Sequence, residues 1–122
     1  MTEEALALIE KMKSKGIESV SLNIWDDFYD DDYVPEGKIQ KTHAYIESGD
    51  FSEDEKELLM LCFYGYLIEK FKDELQDVKI MDYGDEIHFE HLTHKKLDAI
   101  MMELEKIELT FGGIKYNIYS ES

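Results

Sequence analysis

Residues 58–68 are apolar almost without interruption, and this run restricts the folds open to the chain more than any other feature. It follows Ser52 and Glu55, which have the spacing of a capping box, so the sequence predicts a long helix over residues 52–76. A helix that is apolar nearly all round is typical of one buried on most of its circumference. The run has eleven residues, too few to span a bilayer. We therefore expect this helix to lie inside a layered fold, with a sheet or another helix approaching Gly65 closely.

Two shorter helices and six strands complete the pattern. Helices are predicted over residues 3–15 and 94–106, each after a threonine that is able to cap it. Strands are predicted over residues 17–25, 38–46, 78–83, 86–91, 107–111 and 114–119. The order α-β-β-α-β-β-α-β-β predicts an α+β fold, a single domain over residues 1–122 with a mostly antiparallel sheet and the helices packed on one face.

The opposite face of this sheet is expected to be polar and studded with aromatic rings, because the first strand alternates between apolar and polar residues. Such a face is either a binding platform or an ordinary solvated surface. The side chains assigned to it are Trp25, His43, Tyr45, His88 and Tyr119.

Charge excludes several classes of function. The chain has 13 basic residues, all of them Lys, and 29 acidic residues, which gives a formal charge of −16. This charge repels phosphate, so we expect neither direct nucleic-acid binding nor adsorption to an anionic membrane. A hydrophobic content of 43% excludes a disordered acidic tail. Charge of this size instead favours a basic protein as the partner.

An acidic loop over residues 26–37 is the most unusual segment, with six acidic residues and no Lys. Three interpretations are open: a plain solvated loop, a docking surface that mimics the charge of a nucleic acid, and a cation site. The EF-hand pattern is not met in any register of the loop. A second acidic segment, residues 47–57, is expected about 30 Å away at the other end of the second strand.

Neither a metal centre nor a catalytic residue is predicted, and no cofactor is expected. His88, His91 and His94 are three residues apart, but a strand over residues 86–91 places the first two on opposite sides. Cys62 is the single cysteine and lies in the apolar run, which favours a small buried hydrophobe over a reactive thiol. The acidic residues after Met1 are unlike a signal peptide, and we expect a protein of the reducing cytoplasm.

The leading hypothesis is a non-enzymatic acidic protein-binding module. Its class would be a bacterial immunity protein or a phage-type inhibitor that occupies the basic cleft of a nuclease or DNA-binding protein. The predicted binding residues are Trp25, Asp26, Asp27, Tyr29, Asp30, Asp31, Asp32 and Tyr33.

Two alternatives remain open. One is a small cation-dependent enzyme or cation-binding module that uses the same carboxylates with His43 or His88. The other is a homo-oligomeric structural protein that associates through the aromatic sheet face. The chain is expected to be a monomer or a small homo-oligomer.

Overall fold

The computed structural model describes residues 2–27, 37–39, 41–47, 49 and 51–121, with the backbone alone at residues 27 and 121. Three helices lie in these residues: α1 (Glu3–Ser14), α2 (Glu53–Lys70) and α3 (His94–Lys106). Each begins at its predicted cap, where the hydroxyl of Thr2, Ser52 or Thr93 accepts a hydrogen bond from the backbone N–H three residues later. The predicted end of α2 is wrong. Turns occupy residues 71–77 and carry Phe71 and Leu75 into the core.

Six strands form one mixed, curled sheet. They are β1 (Ser19–Asp27), β2 (Lys41–Ile46), β3 (Lys79–Asp82), β4 (Glu86–Glu90), β5 (Thr110–Phe111) and β6 (Ile114–Glu121). Their order across the sheet is β3-β4-β2-β1-β6-β5. The α+β class and the order of elements along the chain are confirmed.

Strand direction departs from the expectation at one pair. β1 and β6 are parallel, whereas the other neighbouring strands are antiparallel. Gly112 and Gly113, both with positive φ, reverse the chain between β5 and β6, which makes those two strands antiparallel. The predicted second strand also starts too early, since Lys38 forms only an isolated bridge with Thr93.

One face of the sheet carries the hydrophobic core. Val20, Leu22 and Ile24 of β1 are buried there, in a cluster with residues of all three helices. The hydroxyl of Tyr116 in β6 donates a hydrogen bond to the carbonyl oxygen of Leu59 in α2, at 2.7 Å. The prediction that the helices pack on one face is therefore confirmed.

The expected burial of α2 on most of its circumference is wrong. Leu61, Gly65 and Ile68 form an exposed stripe on its outer side, and Leu61 is 63% exposed. Among the residues that the structure describes, a Cβ added at Gly65 would meet nothing within 4 Å, so no close approach of a described strand or helix accounts for this glycine. The apolar run has one buried side, formed by Leu59 and Phe63 with their neighbours.

The outer face is the side of the sheet turned away from the helices. It carries the predicted aromatic set, with Trp25 opposite His43, and His43 opposite His88. A polar face of this kind is expected to be exposed to solvent, but the side chain of Asn23 in β1 is only 1% exposed. It lies between Tyr45 and Tyr119 in the register of the sheet and donates a hydrogen bond to the hydroxyl of Tyr45 at 3.0 Å.

Within the described ranges, the helices are too short or too polar to cross a membrane.

Candidate functional site

The structure separates the first two predicted binding residues. Trp25 and Asp26 are consecutive in β1, so their side chains lie on opposite faces of the sheet. Trp25 lies on the outer face, 41% exposed, with its ring 5.4 Å from that of His43. Asp26 lies on the helix side, next to Thr42 and the start of α3. These two predicted binding residues therefore lie on different faces of the sheet, and whether either contacts a partner stays a prediction.

The other predicted binding residues stay untested. Asp27 ends β1, where the structure describes its backbone but not its side chain. The remaining five lie outside the described residues: Tyr29, Asp30, Asp31, Asp32 and Tyr33.

Asp26 borders a groove of about 510 Å³ between the sheet and α3, which we call the acidic groove. Its lining residues are Asp26, His94, Leu97, Asp98, Met101, Met102, Glu105 and Ser120. The sequence builds it because positions 94, 98, 101 and 105 recur at helical spacing and fall on one side of α3. Three carboxylates are gathered there beside two methionines, and no lysine is among the lining residues.

Electrostatics of the acidic groove favour an incoming cation. Burial raises the pKa of Asp26 above its ordinary value, and the charge of Asp98 adds to this rise. His94 and the hydroxyl of Thr42 oppose the rise without cancelling it. A lysine or arginine side chain entering the groove would relieve the repulsion between Asp26 and Asp98.

The second acidic segment contributes less surface charge than its sequence suggests. Glu55 is fully buried, and its Oε1 accepts hydrogen bonds from the backbone N–H of Ser52 at 2.7 Å and from Nζ of Lys15 at 2.9 Å. Burial by itself would raise the pKa of Glu55, but these bonds outweigh it and hold the pKa below its ordinary value. Glu55 is thus the N3 residue of the capping box of α2, paired with a lysine, and is not a docking residue.

A second cluster lies on the outer face, where β2 and β4 are neighbours. His43 and His88 are directly opposite each other, and Glu86 is two residues before His88, on the same face. Oε1 of Glu86 lies 3.1 Å from Nδ1 of His43 and 2.8 Å from Nε2 of His88. We call these three residues the His–Glu–His cluster.

Packing holds the rings of the cluster in place. The imidazole rings of His43 and His88 pack against each other with centroids 3.9 Å apart and a tilt of 37°, and the ring of Tyr83 lies 4.6 Å from that of His88. His43 is 8% exposed, while Glu86 remains partly open to solvent. Burial would raise the pKa of Glu86, but the hydrogen bonds from His88 and His43 outweigh it and lower that pKa. The carboxylate is therefore ionised at neutral pH.

Sequence reasoning found only part of this cluster. It placed His43 and His88 on one face, which the register confirms, but it missed Glu86. The signal was the spacing Glu86-x-His88 on a strand, which puts both side chains on one face. His91, just after β4, has a positive φ of 58°, and His94 begins α3; neither joins the cluster.

Cys62 is half-buried in α2, and burial raises its pKa to about 11. A thiol with this pKa is protonated at neutral pH and is a poor nucleophile. This supports the interpretation of Cys62 as a small hydrophobic side chain.

Comparison with protein-family models, with curated proteins and with solved structures found no match to this chain, so its function has to be argued from its own residues.

Proposed function

We propose that this chain is a non-enzymatic acidic binding module that docks a basic protein partner through the acidic groove. The observation that carries the proposal is the gathering of Asp26, Asp98 and Glu105 in one groove without a lysine. Met101 and Met102 lie between these carboxylates, and flexible thioether side chains adapt to the aliphatic stems of lysine and arginine.

The charge of the whole chain supports the same partner chemistry. A formal charge of −16 produces a field that accelerates encounter with a cationic surface and repels other polyanions. Binding of this kind weakens as salt rises, because the charges are screened over about 10 Å at 0.1 M.

The finer proposal concerns the class of partner. β1 continues from Asp26 into the segment that contains Asp30, Asp31 and Asp32, so the acidic groove and the predicted acidic loop are adjacent along the chain. A row of carboxylates of this kind would fit the basic cleft of a nuclease or DNA-binding protein, as in an immunity protein or phage-type inhibitor. We place this activity in the reducing cytoplasm, in keeping with the single Cys62.

A binding experiment with a defined probe tests the groove. The probe is an octa-arginine peptide, with a glycine–serine peptide of equal length as the neutral control, and affinity is measured by calorimetry between about 50 and 200 mM salt. The test variant Asp98→Asn/Glu105→Gln removes two groove charges. The control variant Glu10→Gln/Glu69→Gln removes two exposed charges from the other helices.

We expect the groove variant to bind the arginine peptide about tenfold more weakly than the wild type, since Asp98 and Glu105 are exposed and two lost exposed ion pairs together are worth about 1.4 kcal/mol. The control variant has the same net charge and should lose about twofold or less. Equal losses in the two variants would mean that the peptide senses net charge alone, and would refute the groove as the docking site.

The partner class needs a separate measurement. The chain is immobilised, a bacterial lysate is applied, and proteins are eluted with a salt gradient. The finer proposal expects a basic nucleic-acid-binding protein that elutes late and is displaced by duplex DNA, because DNA and the module would compete for one cleft. Retained proteins that DNA does not displace would count against nucleic-acid mimicry while leaving the groove experiment unaffected.

A further inference from the structure

We propose that His43, Glu86 and His88 form a binding site for one divalent transition-metal ion. The proposal is independent of the acidic groove, because this cluster lies on the outer face of the sheet and the groove lies on the helix side.

The donor set fits this class of ion. Two imidazoles and one carboxylate are the ligands of many zinc and non-haem iron sites, in which solvent completes the coordination. Calcium and magnesium prefer sites made of oxygen ligands alone, so the two imidazoles argue against both. The sequence suggested the carboxylates of the acidic loop together with His43 or His88, whereas the cluster found among the described residues joins both histidines to Glu86.

Distances within the cluster are close to those of a metal site. One ligand atom from each of the three residues can be chosen so that all lie within 4.8 Å of one another. Ligand atoms about 2.1 Å from a tetrahedral zinc ion are about 3.4 Å apart. The two nitrogens already lie 3.1 Å and 2.8 Å from Oε1 of Glu86. An increase of a few tenths of an ångström would bring both nitrogen–oxygen distances to the spacing of a metal site.

The backbone brings the three ligands together before any ion binds. His43 and His88 are a directly opposed pair on antiparallel strands, where Cβ atoms are about 4.5–5.5 Å apart. Glu86 and His88 share one face of β4 because side chains alternate along a strand. The rings of Trp25 and Tyr83 flank the pair and restrict its rotamers. A site built on strands in this way has little ordering entropy to lose on binding.

Access and charge complete the argument. The side chain of Glu86 is 39% exposed, so an ion can reach the cluster from solvent and keep a water ligand there. The carboxylate of Glu86 supplies negative charge that complements a divalent cation.

Zinc binding to the intact chain tests the proposal. The protein is stripped with a chelator and titrated with Zn²⁺ by calorimetry in the presence of millimolar Mg²⁺, which occupies carboxylates but competes poorly for imidazole. We expect one ion per chain with a dissociation constant of about 1 µM or lower. Co²⁺ in place of Zn²⁺ should give visible absorption bands that report nitrogen and oxygen ligands in a site of low coordination number.

Variants separate this site from the acidic surface. His43→Gln and His88→Gln should each weaken Zn²⁺ binding by about 100-fold or more, because a lost ligand exceeds the 10–100-fold effect of a lost outer-shell partner. His91→Gln is the matched control, since His91 is exposed, close in sequence and outside the cluster, and its affinity should be unchanged. Unchanged Zn²⁺ binding in His43→Gln and His88→Gln, or no binding to the wild type, would overturn the proposal.

The wild-type chain provides a readout that no folding defect can obscure. Ring ¹⁵N resonances of His43 and His88 should shift with one equivalent of Zn²⁺, while those of His91 and His94 should stay in place. Shifts confined to His91 and His94, or absent from all four rings, would also overturn the proposal, whatever the variants do.

Discussion

Replacement of Glu55 by glutamine measures how much the buried carboxylate in the capping box of α2 contributes to stability. The wild-type carboxylate accepts two hydrogen bonds on Oε1, from Ser52 N at 2.7 Å and from Lys15 Nζ at 2.9 Å. A hydrogen bond to a charged group is worth about 1.5–3 kcal/mol, against about 1 kcal/mol between neutral groups. Glutamine keeps an acceptor for Ser52 N–H but loses the charge for both bonds.

The expected net loss is about 2–3 kcal/mol in the free energy of unfolding. This is less than the sum of two charged hydrogen bonds, because the side chain of Lys15 is 27% exposed and its ammonium group can bind water in the variant. For a chain of this length, that corresponds to a fall of about 8–12 °C in Tm. Glu69→Gln, an exposed position on the same helix, is the matched control and should change stability by about 0.5 kcal/mol or less.

Urea unfolding at neutral pH, followed by circular dichroism, measures the difference between the two variants. Acid gives a second check. The pKa of Glu55 is lowered in the folded state from an ordinary 4.5, so its stabilisation is full above 4.5 and is lost as pH falls through the lowered value. The gap between wild type and Glu55→Gln should therefore narrow in acid. Identical urea midpoints for Glu55→Gln and Glu69→Gln at neutral pH would refute the reasoning, as would a gap that widens in acid.

Three further outcomes follow from the described contacts. Gly65→Ala should stabilise the chain by about 1 kcal/mol, because a new Cβ has open space at this position inside α2. Gly112→Ala should destabilise it, because φ is +60° and the new Cβ would lie 2.7 Å from Ile9. Thermal unfolding should show a higher Tm for the first variant and a lower Tm for the second. Cys62, with a pKa of about 11, should react with a disulfide reagent at pH 8 far more slowly in the folded chain than in urea, and equal rates would contradict its burial. Asp26→Asn should raise the free energy of unfolding at neutral pH. The pKa of Asp26 is raised in the folded state, so at a pH above its ordinary pKa of 3.8 the ionised side chain destabilises the fold. Urea midpoints should therefore show the gain at pH 7 but not at pH 3.

Local signals in the sequence predicted the beginnings of the helices well. Thr2, Ser52 and Thr93 each cap a helix through an interaction that spans three residues, so nothing distant decides it. The parallel pairing of β1 with β6 is different, because it joins segments about a hundred residues apart and leaves no mark on the alternation of either strand. The exposed stripe of α2 was missed for a related reason: Leu61 and Ile68 are apolar but unpartnered in the described core, and periodicity does not distinguish such residues from buried ones.

The two candidate sites differ in how much of each was predictable. The separation of Trp25 and Asp26 was not predicted, because the first strand was expected to end at residue 25. The strand runs on to Asp27, so alternation continues and turns the two side chains to opposite faces. His43 and His88 were placed on one face by parity alone, but their contact with Glu86 depends on the register of β2 against β4, which is set by the whole sheet.

The position of β6 between β1 and β5 also affects how quickly the chain reaches its native state. β1 precedes the other five strands along the chain, yet one of its two hydrogen-bonding edges is closed only by the strand that comes last of the six. Pairings of such long sequence separation are associated with slow folding, since a large loop must close before the contact forms. During that interval β1 presents an unsatisfied edge with Val20, Leu22 and Ile24, a template to which a second nascent chain is able to add. The surplus of carboxylates would counter this hazard, because mutual repulsion keeps unfinished chains apart.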